Sequence, residues 1–391
     1  MFQRDKAKDY IQKYWKSITR ENREDTGTLI GLPFPYLVPS NEEMFQELYY
    51  LDSYFISLGL LDSPLEDFII HITEDLASLI GRFGFIPNAS RYYFTSRSQP
   101  PVFSRMVWLS YRVKEKRKDP DKIDFLSRMI QTAEVEYHTA WMSEKLPHPR
   151  KVYKGLSRYF DINYLDILAG CESGWDHSTR CEDKWLDYLP VDLNSILYII
   201  EMDIARAKDL LGKPDEAETW REKAEARQRT MTELMWDPEM ELFSDYNWKT
   251  RQRLFHPSLA AFYPLWAGLA NREQAESMVT KWLPKFLHPG GLVTSLEPKA
   301  ERQWAYPNGW APLQWITDAG LERYGFSEEA GEIRRRWCHT CEYQFEKTGA
   351  FWEKYNVVDP DADVEPGLYG QIKGFGWSNS VYLDFIKRLD G

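Results

Sequence analysis

The feature that most constrains this chain is a repeated pairing of helices. Over residues 191–211 apolar side chains recur at i, i+3, i+4 and i+7 and the pattern stops at Gly212. Pro214-Asp-Glu then opens a second helix reaching residue 235, since proline's fixed φ and two acids suit a first turn. The same helix, short break, helix rhythm is predicted over 257–270 with 272–286 and over 310–324 with 327–347. Earlier stretches at 45–61, 64–81, 101–117 and 120–145, and a last one at 377–389, carry the same period. On the order of twelve helices with no βαβ alternation define an all-α class and fill most of the chain as one domain, residues 1–391. Between the helices run long loops rich in Trp, Gly, Pro and Asn at 86–101, 168–190, 288–309 and 348–377. Hairpin-paired helices with alternate long connections suggest a toroid whose aromatic loops gather at one end around a pocket.

Composition narrows the function. A chain with 43% hydrophobic and 28% charged residues, and only 22 Gly and 22 Pro, is a folded globule rather than a disordered or collagen-like polymer. Aromatic residues reach 15%, more than space-filling demands when Leu and Ile can do the same, so stacking surfaces for a ring-shaped ligand are expected. The net charge of −11 and the absence of a Lys/Arg stripe argue against nucleic acid. Residues 1–16 are charged throughout, with no apolar export signal and no spanning run, so a cytoplasmic protein without membrane attachment is expected. Cys171, Cys181, Cys338 and Cys341 are too few for a disulfide framework. The C-x-x-C at Cys338 and Cys341 falls inside a predicted helix with no second ligand pair, which favours two thiols packed on one face over zinc or thiol exchange. No phosphate-binding glycine motif occurs. Asn88-Ala-Ser90 matches a glycosylation acceptor but has no export signal to give it meaning.

Three carboxylates stand in unusual company. Glu172-Ser-Gly-Trp-Asp-His-Ser-Thr-Arg180 places Asp176 at a Gly-Trp turn; Asp52 lies among Phe45, Tyr49, Tyr54 and Phe55; Glu353 follows Phe351-Trp352. Apolar rings disfavour the ionised form of a carboxylate and so suit it to donate a proton near neutral pH. The bland alternative is that Asp176 starts a capped turn and pairs with Arg180, with His177 a hydrogen-bonding neighbour. Paired carboxyl groups beside aromatic rings are what glycoside hydrolysis requires, one to protonate the leaving oxygen and one to activate water or attack.

Six segments then carry a resemblance: 33–60 (PFPYLVPSNEEMFQELYYLDSYFISLGL), 82–101 (RFGFIPNASRYYFTSRSQPP), 172–180 (ESGWDHSTR), 303–315 (QWAYPNGWAPLQW), 353–357 (EKYNV) and 374–379 (GFGWSN). In order and over nearly the whole chain, they resemble the signature segments of the α,α-trehalases. That resemblance implies an (α/α)6 barrel, inverting hydrolysis of a small α-linked glucoside such as trehalose, and no metal or organic cofactor. It puts the general acid on Asp176 and the general base on Glu353. It puts sugar contacts on Phe45, Tyr49, Asp52, Asn88, Arg97, Gln99, Gly174 and Trp304, with Asn88 and Arg97 donating to hydroxyls and Phe45 and Trp304 stacking on the ring.

Departures from the family pattern fall on charged contacts. Asn41-Glu-Glu-Met44 stands in place of a Gly-Gly-Arg, Leu51 in place of a Trp, and Ala305 in place of an Asp. Lys154-Gly-Leu-Ser-Arg-Tyr159 replaces a Pro-Arg-Pro-Glu-Ser segment, and Pro366-Gly-Leu-Tyr369 replaces a Gly-Glu-Tyr lid. Each loss removes recognition of a hydroxyl pattern rather than the chemistry. The substrate alternatives are therefore a glucosyl- or mannosyl-glycerate solute, with Arg158 offering a cation to the acidic aglycone, or, in another class, a catalytically silent sugar-binding protein. The bland reading of Arg158 is a surface ion pair with Asp161.

Overall fold

In the computed structural model the chain is described over residues 4–143, 150–298, 302–362, 364 and 370–390. Its helices are α1 (Arg4–Ser17), α2 (Tyr50–Leu60), α3 (Asp67–Phe83), α4 (Phe103–Arg117), α5 (Lys122–Glu136), α6 (Asp166–Glu172), α7 (Val191–Leu210), α8 (Pro214–Met235), α9 (Tyr263–Ala267), α10 (Arg272–Lys281), α11 (Leu283–Phe286), α12 (Ala311–Arg323), α13 (Ser327–Thr348) and α14 (Gly376–Asp390).

Six of them close a ring. Each of α2, α4, α7, α9, α12 and α14 packs on the next, and α14 returns to α2. These inner helices are buried nearly all round: α2 exposes only one residue appreciably, and α7 hides Asp192, Asn194, Glu201 and Asp203 along with its apolar residues. A helix without a polar face is stable only when surrounded by other protein. The outer helices are one-sided. In α8 the buried residues are Ala217, Trp220, Ala224, Arg227, Met231, Leu234 and Met235, a stripe at three- and four-residue spacing against α7. Helices α3, α5 and α13 cover the inner ring in the same way, giving the (α/α)6 toroid.

The rhythm read from sequence locates nearly every helix, and Pro214 opens α8 as its first residue. Two differences have physical causes. Residues 4–17 form a helix that the charged sequence hides, because it buries only Ala7, Ile11, Tyr14 and Trp15. Residues 45–49 lie outside α2, so the aromatic start of that segment is a loop that faces the ring's mouth. The helix expected over 120–145 ends as α5 at Glu136 and a π-turn to Trp141; its last two residues lie outside the described ones, as does the 366–369 segment. The β structure is confined to short antiparallel pairs, the important one joining Asn308–Trp310 to Lys354–Asn356. Cys338 and Cys341 are free and buried on one face of α13. Among the described residues no helix is long and apolar enough to cross a membrane.

Candidate active site

The long loops meet over one end of the ring, and each carboxylate arrives from a different direction. Asp52 sits in the first turn of α2. Asp176 follows α6 across a turn in which Gly174 has φ +73, where a Cβ would also meet Leu51 Cδ2 at 2.9 Å. Only glycine tolerates both conditions, so this turn depends on it to aim Asp176.

Glu353 immediately precedes the strand Lys354–Asn356 and is 1% exposed. Its backbone is pinned on both sides: its N–H donates to the Ile372 carbonyl at 3.0 Å, and its own carbonyl accepts from Trp377 Nε1 at 3.0 Å.

The acid and base loops are physically linked. Lys354 Nζ, fully buried, contacts Glu353 Oε2 at 3.1 Å and reaches Gln303 Oε1 at 3.5 Å. Gln303 in turn donates from Nε2 to the Asp176 carbonyl at 3.2 Å. One amide and one ammonium therefore tie the two carboxylate-bearing segments together. Lys354 and Gln303 lie within segments singled out above, yet their bridging role depends on two distant loops meeting and is invisible in either alone.

Electrostatics separates the carboxyl groups. Burial pushes Asp176 up to about 6; Arg97 opposes that rise, the charge of Glu353 adds to it, and a hydrogen bond from the Cys171 thiol opposes it again. Its Oδ1 is sealed from solvent and has no hydrogen-bond partner among the described residues. Glu353 instead has an ammonium against it at ion-pair distance. Burial drives Asp52 up to about 8, with the charges of Glu353 and Asp176 adding to the rise. The three groups thus lie close enough for their charges to act on one another.

Aromatic rings form a continuous wall around them. Phe94 contacts Tyr49 at 5.9 Å between centroids, Tyr49 contacts Phe45 at 5.9 Å, and Phe45 contacts Phe375 at 5.6 Å. Phe375 meets Trp377 at 4.5 Å, and Trp377 meets the parallel pair Trp304 and Trp310, stacked at 3.9 Å, with Trp175 beyond at 5.4 Å from Trp304. Phe375 and Trp377 come from the GFGWSN segment; they were legible as a signature but not as part of the wall.

Several expected contacts are used differently. Asn88 is buried, and its Nδ2 donates to the Ser98 carbonyl at 3.0 Å and reaches that of Cys171 at 3.4 Å, so its donors fasten loops together rather than meeting hydroxyls. The same burial removes it as a glycosylation acceptor. Gln99 Oε1 accepts from the Leu51 N–H at 2.8 Å and starts α2. One face of Trp304 is covered by Trp310, leaving only its remaining face or edge for a ring. Arg97 lies over Phe94 and faces Asp161 at 3.5 Å while acting on Asp176.

The bland readings fail on geometry. Arg180 pairs with Asp192 and Asp245, each within 3.0 Å, and not with Asp176. His177 makes no side-chain hydrogen bond among the described residues; His256 is the ring that bonds Thr179 nearby, at 2.9 Å. Arg158 forms no pair with Asp161, which is fully buried and engaged with Ser96, Arg97 and Asn163.

These features were compared with known proteins. The sequence matches the Trehalase family over residues 3–166 and 156–390. The chain belongs to the trehalase family. Neutral trehalase Nth1 from Saccharomyces cerevisiae is similar in structure, with 27% identity, a TM-score of 0.86, and coverage of 98% of this chain and 94% of that one. A GH63 mannosylglycerate hydrolase from Thermus thermophilus, in complex with glucose, matches with 20% identity, a TM-score of 0.68, and coverage of 98% and 99%, which shows the shared fold. This trehalase-family chain is accordingly a glycosidase-type toroid.

Proposed function

We propose that this chain, in the cytoplasm, hydrolyses a small α-linked glucoside with inversion, trehalose being the first substrate to test. Asp176 is the general acid and Glu353 the general base. The observation that carries this reading is the pairing of opposite environments within reach of each other's charge: an enclosed Asp176 carboxyl group pushed up to about 6, and a Glu353 carboxylate held against a buried ammonium at 3.1 Å. A proton donor and an anionic base, from loops tied by Gln303 and Lys354, supply the two roles inversion requires.

In the reaction, Asp176 gives its proton to the glycosidic oxygen as the C–O bond breaks, and the leaving group departs as an alcohol. Glu353 takes a proton from the water that attacks the anomeric carbon from the opposite face. The rings from Phe45 to Trp377 exclude bulk water, which strengthens both interactions, and Asp52, held neutral by burial, offers hydrogen bonding to hydroxyls without adding a negative charge. Arg97, beside Asp176, places positive charge on the same side of the cavity as the acid.

The test is a substrate panel of trehalose, glucosylglycerate and mannosylglycerate, assayed by released hexose with wild type, Asp176→Ala and Glu353→Ala. Hydrolysis of one member by wild type, reduced at least a hundredfold in each folded variant, supports the reading. Turnover near the wild-type rate in either variant removes the assignment, and binding without turnover in wild type points to a sugar-binding protein instead.

A further inference from the structure

Among the described residues, buried cations are neutralised with one exception. Arg150 pairs with Glu172, Arg180 with Asp192 and Asp245, Arg227 with Glu201, and Arg334 with Asp318. The buried lysines 114, 208 and 354 likewise face carboxylates. Arg158 is 8% exposed and has no carboxylate within ion-pair distance among the described residues. Its Nη1 donates to the Leu186 carbonyl at 2.8 Å, an oxygen already shared with Trp248 Nε1 at 3.1 Å. Its Nε is sealed from water and has no hydrogen-bond partner among those residues. The guanidinium lies 5.2 Å from the Phe160 ring and 5.9 Å from the Trp248 ring.

Rings can attract a cation, but they cannot accept its fork of N–H donors in the plane where a carboxylate or phosphate would. An unpaired buried charge is costly enough that the side chain normally finds an anion or is lost. Burial disfavours the charged form of Arg158, while Tyr164, Asp187 and Asp166 favour it from beyond ion-pair distance.

Arg158 lies on the segment that leads through Phe160, bonded by its N–H to Glu172, and Asp161, facing Arg97, toward Asp176. Asp176 itself responds to Arg97 and Glu353.

We propose that Arg158 anchors an oxyanion subsite between Phe160 and Trp248, taking a carboxylate or phosphate group through its guanidinium fork. The oxyanion has two sources. It can be the acidic end of the substrate's leaving group, which deepens the hydrolytic reading above, or a free anion that binds independently of hydrolysis.

The test is calorimetric titration of the full chain with D-glycerate, inorganic phosphate and, as a neutral control, glycerol. Saturable binding of either anion but not glycerol, weakened as NaCl rises and at least tenfold in Arg158→Gln, is the expected result. Arg158→Lys, which keeps the charge but not the fork, should fall between. Absence of saturable anion binding to wild type, or equal binding by Arg158→Gln with native circular dichroism, overturns the proposal. The wild-type titration decides the matter even if both variants misfold. Kinetics separates the sources. Inhibition by D-glycerate competitive with a glucoside substrate assigns the anion to the leaving group, whereas phosphate binding without competition assigns it to a free ligand. Because binding is measured without turnover, loss of the hydrolytic assignment leaves this result readable.

Discussion

Asp52 is where the demands of the cavity oppose those of the fold. Unfolded, its carboxyl group releases a proton near pH 3.8; in the folded protein, burial delays that release to about pH 8. The folded state therefore holds a proton that the unfolded state has lost, and stability falls as pH rises through that window. Each pH unit costs about 1.4 kcal/mol, giving about 2 kcal/mol at pH 5 and about 4 kcal/mol at pH 7, with no further change above pH 8. Asp52→Asn has nearly the same shape and cannot ionise, so it escapes this cost. Urea denaturation of both proteins at pH 5, 6, 7 and 8 should show the variant gaining on wild type by about 2 to 3 kcal/mol between pH 5 and pH 7, then levelling off. A constant offset between the amide and the acid would shift all points equally and leave the slope intact. A difference that stays flat with pH, or narrows as pH rises, refutes the reasoning. The variant should also lose activity, since its amide replaces a carboxylic O–H that can donate or accept with an NH2 that only donates.

Other outcomes follow from the same geometry. With Asp176 released near pH 6, kcat/KM should decline on the alkaline side from about that value, because the acid must carry its proton in the free enzyme. The Cys171 thiol opposes the burial-driven rise, so Cys171→Ala should move that alkaline limb upward and Cys171→Ser should return it toward wild type, measured by pH-rate profiles. Lys354→Met leaves Glu353 buried without its ammonium, and thermal or urea melts should record a loss of about 3 kcal/mol, with kcat reduced more than KM is raised. Gly174→Ala combines a left-handed backbone with a contact at 2.9 Å, so it should cost about 1 to 3 kcal/mol, and Leu51→Ala should restore only the part due to the contact.

Much of the fold was legible because a helix that must bury one stripe or all its faces leaves its period in the sequence, as in α7 and α8. Helix α1 was hidden because four buried residues among charges make a faint stripe. The cavity was legible as ordered signature segments and three carboxylates in aromatic company. What could not be read was pairing. Arg158 and Asp161 are three residues apart, yet the turn between them sends Asp161 to Arg97 and leaves Arg158 against two rings. Arg180 lies four residues from Asp176 but is claimed by Asp192 and Asp245 from beyond the loop. Asn88, Gln99 and Trp304 fell in signature segments as expected, but their polar atoms and ring faces are largely committed to neighbouring loops, a fact that only the folded arrangement discloses.

Inversion requires Asp176 and Glu353 to act on opposite sides of an anomeric carbon. Proton NMR of the sugar first released from an α-glucoside substrate tests it most directly, sampled faster than mutarotation. Inversion predicts equal amounts of α- and β-glucose at first from trehalose, whose leaving half is itself α-glucose, and β-glucose alone at first from a glucoside with a non-sugar leaving group. Appearance of α-glucose alone at first from either substrate would contradict it.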